Sequence, residues 1–236
     1  MRITSLKNAK VKYWVDLQNK RFRDQERVFL IEGDHLINEA KKYGYITETI
    51  SISDEDADFV VTKEIMQKIS SQKSISENAG VVKFLPEKDI KGNIIILDGI
   101  QDPGNLGTII RSAVAFNFET IVLGSNCVDL YNPKVVRSTE GMLFKVNVLR
   151  RNLISFIPKL KSMDYKIVGT DVIAGASINE LKAGKLAIVI GSEGQGMSAS
   201  IKALCDTFIN IKMNKACESL NAGVCASIIM YEVNNG

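Results

Sequence analysis

The chain has few of the groups on which hydrolytic and metal chemistry usually rely. Its 236 residues include one histidine, one tryptophan, four prolines and four cysteines. A single histidine excludes a His-rich zinc site and the HExxH pair of a metalloprotease, and a Ser-His-Asp triad would hang on His35 alone. Cys127, Cys205, Cys217 and Cys225 form no CxxC pair, which argues against a zinc ribbon or a thioredoxin-type site. They read as reduced thiols of a cytosolic protein, mostly small core residues. Long hydrophobic runs are also missing. Those at 94–97, 121–123, 186–190 and 228–231 fall far short of the roughly 20 residues a membrane span needs. The first residues, MRITSLKNAKVKYW, lack the apolar core and cleavage pattern of a secretory leader. A soluble, cytoplasmic chain without a metal is expected.

What is present is globular. With 45% apolar and 24% charged residues, disordered and fibrous classes are excluded, and the length suits one large or two modest domains. The net charge of +3 says little, but it is unevenly spread. Residues 1–30 hold eight basic side chains (Arg2, Lys7, Lys10, Lys12, Lys20, Arg21, Arg23, Arg27) against Asp16, Asp24 and Glu26. Such a run is either a solvated helix face or the edge of a surface for a polyanion. Around 86–93, PEKDIKGN is polar and punctuated by Pro and Gly. A linker there divides a smaller domain, 1–90, from a larger one, 91–236.

The larger part repeats strand and helix. NIIIL (93–97), TIVL (120–123), KIVGT (166–170) and LAIVI (186–190) are unalternating apolar runs, as strands buried on both faces require. DTFINI (206–211) is the last strand candidate. Helical spacing follows from Asn105 to Phe116, near 132–138 and over 152–161. The last helix carries Leu220, Val224, Ile228 and Tyr231 on one stripe, read as its core face. The alternation predicts an α/β domain with a mostly parallel sheet, whose ligands bind beyond the carboxyl ends of the strands.

Three loops at such strand ends carry the candidate chemistry. In DGIQDPGNLGTIIRSAVAF (98–116), Gly99-x4-Gly104 resembles half of a Walker loop, but Asn105 stands where its lysine belongs, so a nucleoside-triphosphate site is rejected. Arg111 lies about 9 Å along the helix from Asn105. It can grip a phosphate in two-point fashion or simply pair with a surface acid. In IGSEGQGM (190–197), three glycines in six residues suggest close backbone approach to a ligand. A dinucleotide reading fails there because only about 40 residues remain, too few for the βαβ halves of that fold. Glu193 can bind a ribose, an amine or a substrate group, or be a solvated loop acid. In INIKMNKACESLNAGVCASIIMYE (209–232), Ser219 is expected to cap the last helix and Asn221 to sit in its first turn. Gly223, unfavourable inside a helix by about 1 kcal/mol relative to Ala, suggests close packing.

Together the loops resemble, in order and spacing, the three motifs of the SpoU/TrmH family of RNA ribose methyltransferases: DPGNLGTIIRSAVAF (102–116), IVIGSEGQGMS (188–198) and IKMNKACESLNAGVCASIIMYE (211–232). RSTEGMLFKVNV (137–148) resembles the segment that connects the first two. Residues 8–40 are similar to the substrate-binding domain of the rRNA-directed branch, itself similar to ribosomal protein L30e. The resemblance implies an α/β architecture of two parts: a small L30e-like RNA-binding domain, and a SPOUT domain whose C-terminus forms a deep trefoil knot. It also implies S-adenosyl-L-methionine as cofactor, a homodimer formed through the catalytic domain, and structured RNA as substrate, rRNA in preference to tRNA. An RNA-binding or assembly protein with weak catalysis is the alternative on the same fold.

Carried over by position, Thr170, Gly191, Gly194, Ile211 and Leu220 would line the cofactor site. Arg111 would act on the ribose hydroxyl, with Asn105, Glu193, Ser219 and Asn221 as its polar partners. The family assigns hydroxyl activation to this arginine. Because an arginine is effectively always protonated, a clamp on the neighbouring phosphate is the preferred reading and a base the alternative. The chain departs from the family in motif 3, with Lys212 for the usual Pro and Ala222-Gly223-Val224 for the usual Val-Ser-Val. Weaker cofactor binding is the expected consequence.

Overall fold

A computed structural model describes residues 1–72, 74–171, 175, 176, 178, 184–214 and 216–235. The chain forms two compact units: Met1–Pro86 with Asp129–Phe144, and Glu87–Val128 with Lys145–Gly236.

The first unit contains β1 (Arg2–Ile3), α1 (Ala9–Asp16), α2 (Lys20–Glu26), β2 (Val28–Glu32), α3 (Asp34–Lys42), β3 (Ile46–Ser51), β4 (Phe59–Val61), α4 (Lys63–Ile69) and β5 (Asn78–Lys83). The sheet order is β1-β4-β3-β5-β2, with β5 antiparallel to both neighbours and the other pairs parallel. Three helices start where a side chain accepts an otherwise unpaired backbone N–H: Asn8 from Lys10, Asn19 from Arg21 and Thr62 from Ile65. Trp14, Leu17, Ile50, Ile65 and Met66 bury their side chains in the core, and the Trp14 indole finds its polar partner in Glu48 at 2.9 Å.

Four of the eight basic side chains of residues 1–30 form ion pairs. Arg2 pairs with Glu55, Lys10 with Glu48 and Lys20 with Asp24. Arg23 is buried, donating to the Leu17 and Gln18 carbonyls at 2.8 Å and to the Asp129 carboxylate at 2.6 Å. Arg2, Lys7, Lys12, Lys20, Arg21 and Arg27 are exposed, the Arg27 guanidinium 4.6 Å from the Phe84 ring centroid.

The second unit follows with β6 (Ile94–Asp98), α5 (Pro103–Ala115) and β7 (Thr120–Gly124). After α6 (Pro133–Ser138) come β8 (Asn147–Arg151), α7 (Leu153–Lys161), β9 (Tyr165–Thr170), β10 (Lys185–Gly191), α8 (Ala199–Lys202), β11 (Thr207–Ile209) and α9 (Ala222–Asn235). Its sheet has the order β11-β9-β10-β6-β7-β8 and every pairing is parallel. The four apolar runs read as strands are β6, β7, β9 and β10. The sequence reading missed β8, an edge strand of mixed sequence NVLRR without the both-face burial that marks the others. The segment α6 and its flanks, which the sequence assigns to the second domain, cluster with the first unit. Tyr131 stacks on Phe84 with ring centroids 3.9 Å apart, its hydroxyl accepts the Leu85 N–H at 2.9 Å, and Asp129 holds Arg23. His35, unassigned by the sequence beyond a structural role, bonds the Glu140 carbonyl at 3.1 Å.

The last helix corrects a second expectation. Its buried face is Ala222, Gly223, Ala226, Ile229 and Met230, whereas Val224 is 46% and Tyr231 52% exposed. The reason lies in its neighbour. α9 runs parallel to α5, with Ser112 and Ser227 hydroxyls 2.6 Å apart, Asn117 bonded to Asn234 at 3.0 Å and Phe116 edge-on to Tyr231. A Cβ on Gly223 would lie 3.2 Å from Thr108, so small residues set the close approach. The chain therefore leaves the sheet at the edge strand β11 and returns to pack beside α5 and β10, the return path a knotted C-terminus needs.

Candidate active site

Both α5 and α9 begin at the same end of this parallel pair, and each N-terminus is set by a specific cap. The Asp102 carboxylate accepts the Asn105 N–H at 2.9 Å, and Pro103 occupies the first turn. This holds Asn105 in a buried position at the helix entrance. At α9 the capping residue is Asn221, not Ser219 as the sequence suggested. Its Oδ1 accepts the Val224 N–H at 3.2 Å and its carbonyl the Cys225 N–H at 2.8 Å. The helix starts two residues later than expected, which leaves Ser219 in the preceding loop.

Asn105 joins the three loops. Its Nδ2 donates to the Glu193 carboxylate, and its Oδ1 accepts from Asn221 Nδ2 at 2.8 Å. One buried amide thus uses both ends of its polar group to tie the first loop to the second and third. Arg111, two turns into α5, is exposed, and among the described residues it has no hydrogen-bond or ion-pair partner.

Beyond the carboxyl ends of β9, β10 and β11 lies a cavity of about 380 Å³. Thr170, Gly191, Gly194, Ile211 and Leu220 all line it, as do Glu193 and Ser219. Asn105, Arg111 and Asn221 do not line it; Asn105 and Asn221 are bonded to its wall through Glu193. The Thr170 hydroxyl donates to the Val189 carbonyl at 3.0 Å, so it braces β10. The glycines divide by role. A Cβ on Gly191 would meet the Gly196–Met197 backbone at 2.3 Å, so the returning arm of the loop itself requires glycine there. Gly196 needs its positive φ of 65°, while Gly194 has open space around its Cα. Ser192 and Gly196 exchange backbone hydrogen bonds of 3.1 and 2.9 Å, closing the loop into a small hairpin.

The cavity wall also holds an ion pair, Asp171 with Lys202 at 3.2 Å, and the Cys225 thiol, whose pKa burial raises. Sequence reasoning passed over Asp98, Asp102, Asp171 and Lys202. The Asp-Pro turn into a helix is a legible signal for Asp102. Asp171 and Lys202 lie 31 residues apart and carry no signal of their pairing.

A parallel α/β sheet with this cavity beyond its strand ends, and a buried polar bridge beside two helix N-termini, defines a small-ligand transferase site of the knotted α/β type. The chain belongs to the SpoU rRNA Methylase family, whose model matches residues 92–231. Residues 8–78 match the MRM3-like substrate binding domain. The chain is 34% identical over 244 residues to the 23S rRNA (guanosine(2553)-2′-O)-methyltransferase RlmP of Bacillus subtilis, covering 98% of each. A solved RNA 2′-O ribose methyltransferase is 26% identical, with a TM-score of 0.84 and coverage of 100% and 98%. The AdoMet-bound rRNA methyltransferase of Sinorhizobium meliloti shares the fold, with a TM-score of 0.90 at 23% identity over 100% of this chain and 97% of that one.

Proposed function

We propose that this chain transfers a methyl group from S-adenosyl-L-methionine to a ribose 2′-hydroxyl of 23S-type ribosomal RNA, in the cytoplasm and as a homodimer. The observation that carries the reading is the bridge Glu193–Asn105–Asn221, which joins the three family motifs at one edge of the cavity. The cavity fits the cofactor in kind. Its volume lies in the range of small-molecule sites, isoleucine, leucine and methionine side chains form part of its wall, and the Glu193 carboxylate also lines it. When bound, the cofactor supplies a methyl group on a positively charged sulfur, so that transfer to oxygen needs no metal. Thr170, Gly191, Gly194, Ile211 and Leu220 would hold it.

Arg111 is exposed on α5, six residues after Asn105, and free of internal partners among the described residues. A guanidinium there would clamp the phosphate next to the target ribose, orient the hydroxyl and favour loss of its proton. Asn105, Glu193, Ser219 and Asn221 would orient the ribose and hold the loops. The RNA is recognised in part by the first unit, in keeping with the MRM3-like match. The exposed Val224 and Tyr231 with the half-buried Ile228, beside Phe116, suit a second copy of the chain.

Calorimetry with S-adenosylmethionine, followed by mapping of 2′-O-methyl groups on ribosomal RNA from a deletion strain, tests this. Arg111→Ala is expected to lower transfer about 10²–10³-fold with cofactor affinity unchanged. An unaltered rate and pH profile in Arg111→Lys would remove this arginine from the proton step. No cofactor binding by the wild type would sink the proposal.

A further inference from the structure

Asp98 is a buried carboxylate at the carboxyl end of β6 that no motif accounts for. It stands beside Gly191 in the sheet register, where β10 ends and the glycine loop begins. Its Oδ2 accepts the Ser198 N–H at 2.8 Å, and Asn126 Nδ2 approaches Oδ1 at 3.5 Å. The loop leaves β10 at Gly191, turns through the Ser192–Gly196 hairpin and folds back so that Gly196–Met197 lies against Gly191. Ser198 is the end of that returning arm, and Met197 and Gly196 are cavity wall. The outward end of the loop is held at Glu193 by Asn105; the inward end is held at Ser198 by Asp98. A burial this deep is unfavourable for a carboxylate unless its hydrogen bonds are made, so the group and the loop position are tied to one another.

We propose that Asp98 is a positioning residue for the cofactor: by gripping the Ser198 amide it holds the returning arm of the glycine loop against Gly191 and so keeps the cavity open to S-adenosylmethionine. This rests on the cofactor reading of the cavity given above. Asp98 is buried and does not line the cavity. Its removal therefore acts on cofactor affinity and leaves RNA recognition alone.

The experiment compares Asp98→Ala and Asp98→Asn with the wild-type chain by calorimetric titration of S-adenosylmethionine, the KM for RNA, and amide exchange of the 192–199 segment without ligand. Asp98→Ala is expected to raise the cofactor Kd about tenfold, to leave the RNA KM unchanged and to speed exchange at Ser198. Asp98→Asn keeps an oxygen that accepts the same N–H and is expected to restore both readouts. Wild-type cofactor affinity in Asp98→Ala, an equal loss of RNA affinity, or an Asp98→Asn protein as impaired as Asp98→Ala would each overturn the inference. Should Asp98→Ala fail to fold, Ser198→Pro removes the same bond from the donor side at a φ of −62°, which proline accepts. The same cofactor-specific loss is expected there, and an unchanged Kd would overturn the inference. If the wild type itself binds no cofactor, the reading of the cavity fails, and the exchange measurement still decides whether Asp98 holds the loop.

Discussion

The two loops that face each other across the cavity are built on different principles. The glycine loop 191–198 is braced along its length by the Ser192–Gly196 pair, by the Gln195 N–H on Ser192, by Asn105 on Glu193 and by Asp98 on Ser198. The loop 210–221 is four residues longer, and the hydrogen bonds among its described residues are local or lie at its two ends. Asn210 donates to Ala176 at 3.3 Å, Asn214 takes the Ala216 and Cys217 N–H groups, and Asn221 is tied down only where α9 begins. One wall is preformed by internal hydrogen bonds; the other gains most from contact with a ligand. Between them they can offer a fixed surface and an adaptable one to the same small molecule.

Among the described residues Asn105 is the one hydrogen-bonded link between these walls, so its loss breaks the comparison most severely. Asn105→Ala leaves the Asn221 amide without its partner and Glu193 without its donor. It is expected to reduce unfolding free energy by about 1–3 kcal/mol, and to lower methyl transfer more than any substitution in either loop tip. Denaturant unfolding together with a methylation assay reads both. A stability equal to wild type would mean the bridge is replaced by water.

A smaller effect separates the walls directly. Cys217 is an exposed thiol in the loop 210–221. Cys205 is pushed up to about 11 by burial and by the Asp206 carboxylate, and burial also raises Cys127 and Cys225. At pH 8 an alkylating reagent should therefore modify Cys217 first, because the thiolate is the reactive form. S-adenosylmethionine should slow that reaction severalfold while leaving amide exchange in 191–198 nearly unaltered. Equal protection of both loops would refute the contrast between a preformed wall and an adaptable one.

The smallest expected effect lies in the first unit. The Thr49 N–H and hydroxyl, each 2.8 Å from Asp58 Oδ2, hold that carboxyl below the usual carboxylate range. A depressed folded pKa gives stability that is full above the unfolded value, about pH 4, and fades as pH falls through the folded value. Asp58→Asn should thus be slightly less stable than wild type at neutral pH. The difference should vanish in acid, and cofactor affinity should not change at any pH at which both proteins are folded.

Much of this was legible in the residues. Buried parallel strands announce themselves as unbroken apolar runs, and β6, β7, β9 and β10 were read correctly for that reason. The edge strand β8 was not, because an edge needs no apolar second face. The stripe Leu220, Val224, Ile228 and Tyr231 has faultless helical spacing yet is half on the surface. Periodicity identifies a face without saying what covers it, and here small residues with little hydrophobic signal, Gly223 and Ala226, made the close contact with α5. Ser219 was a sound capping residue by type. Asn221, equally sound, won because the Asn105 amide stood opposite it.

By itself, then, the sequence determined the parallel α/β class, the three loops and the kinds of side chain they present, since each depends on local spacing and residue chemistry. Only the tertiary structure decided which of those groups meet. It brought Asn105 between Glu193 and Asn221, buried Arg23 out of the basic run, moved 129–144 into the first unit and set Asp98 against Ser198. Each of these joins residues far apart in the chain, and such contacts form only when burial of the intervening sheet has offset the entropy of closing the long loops between them.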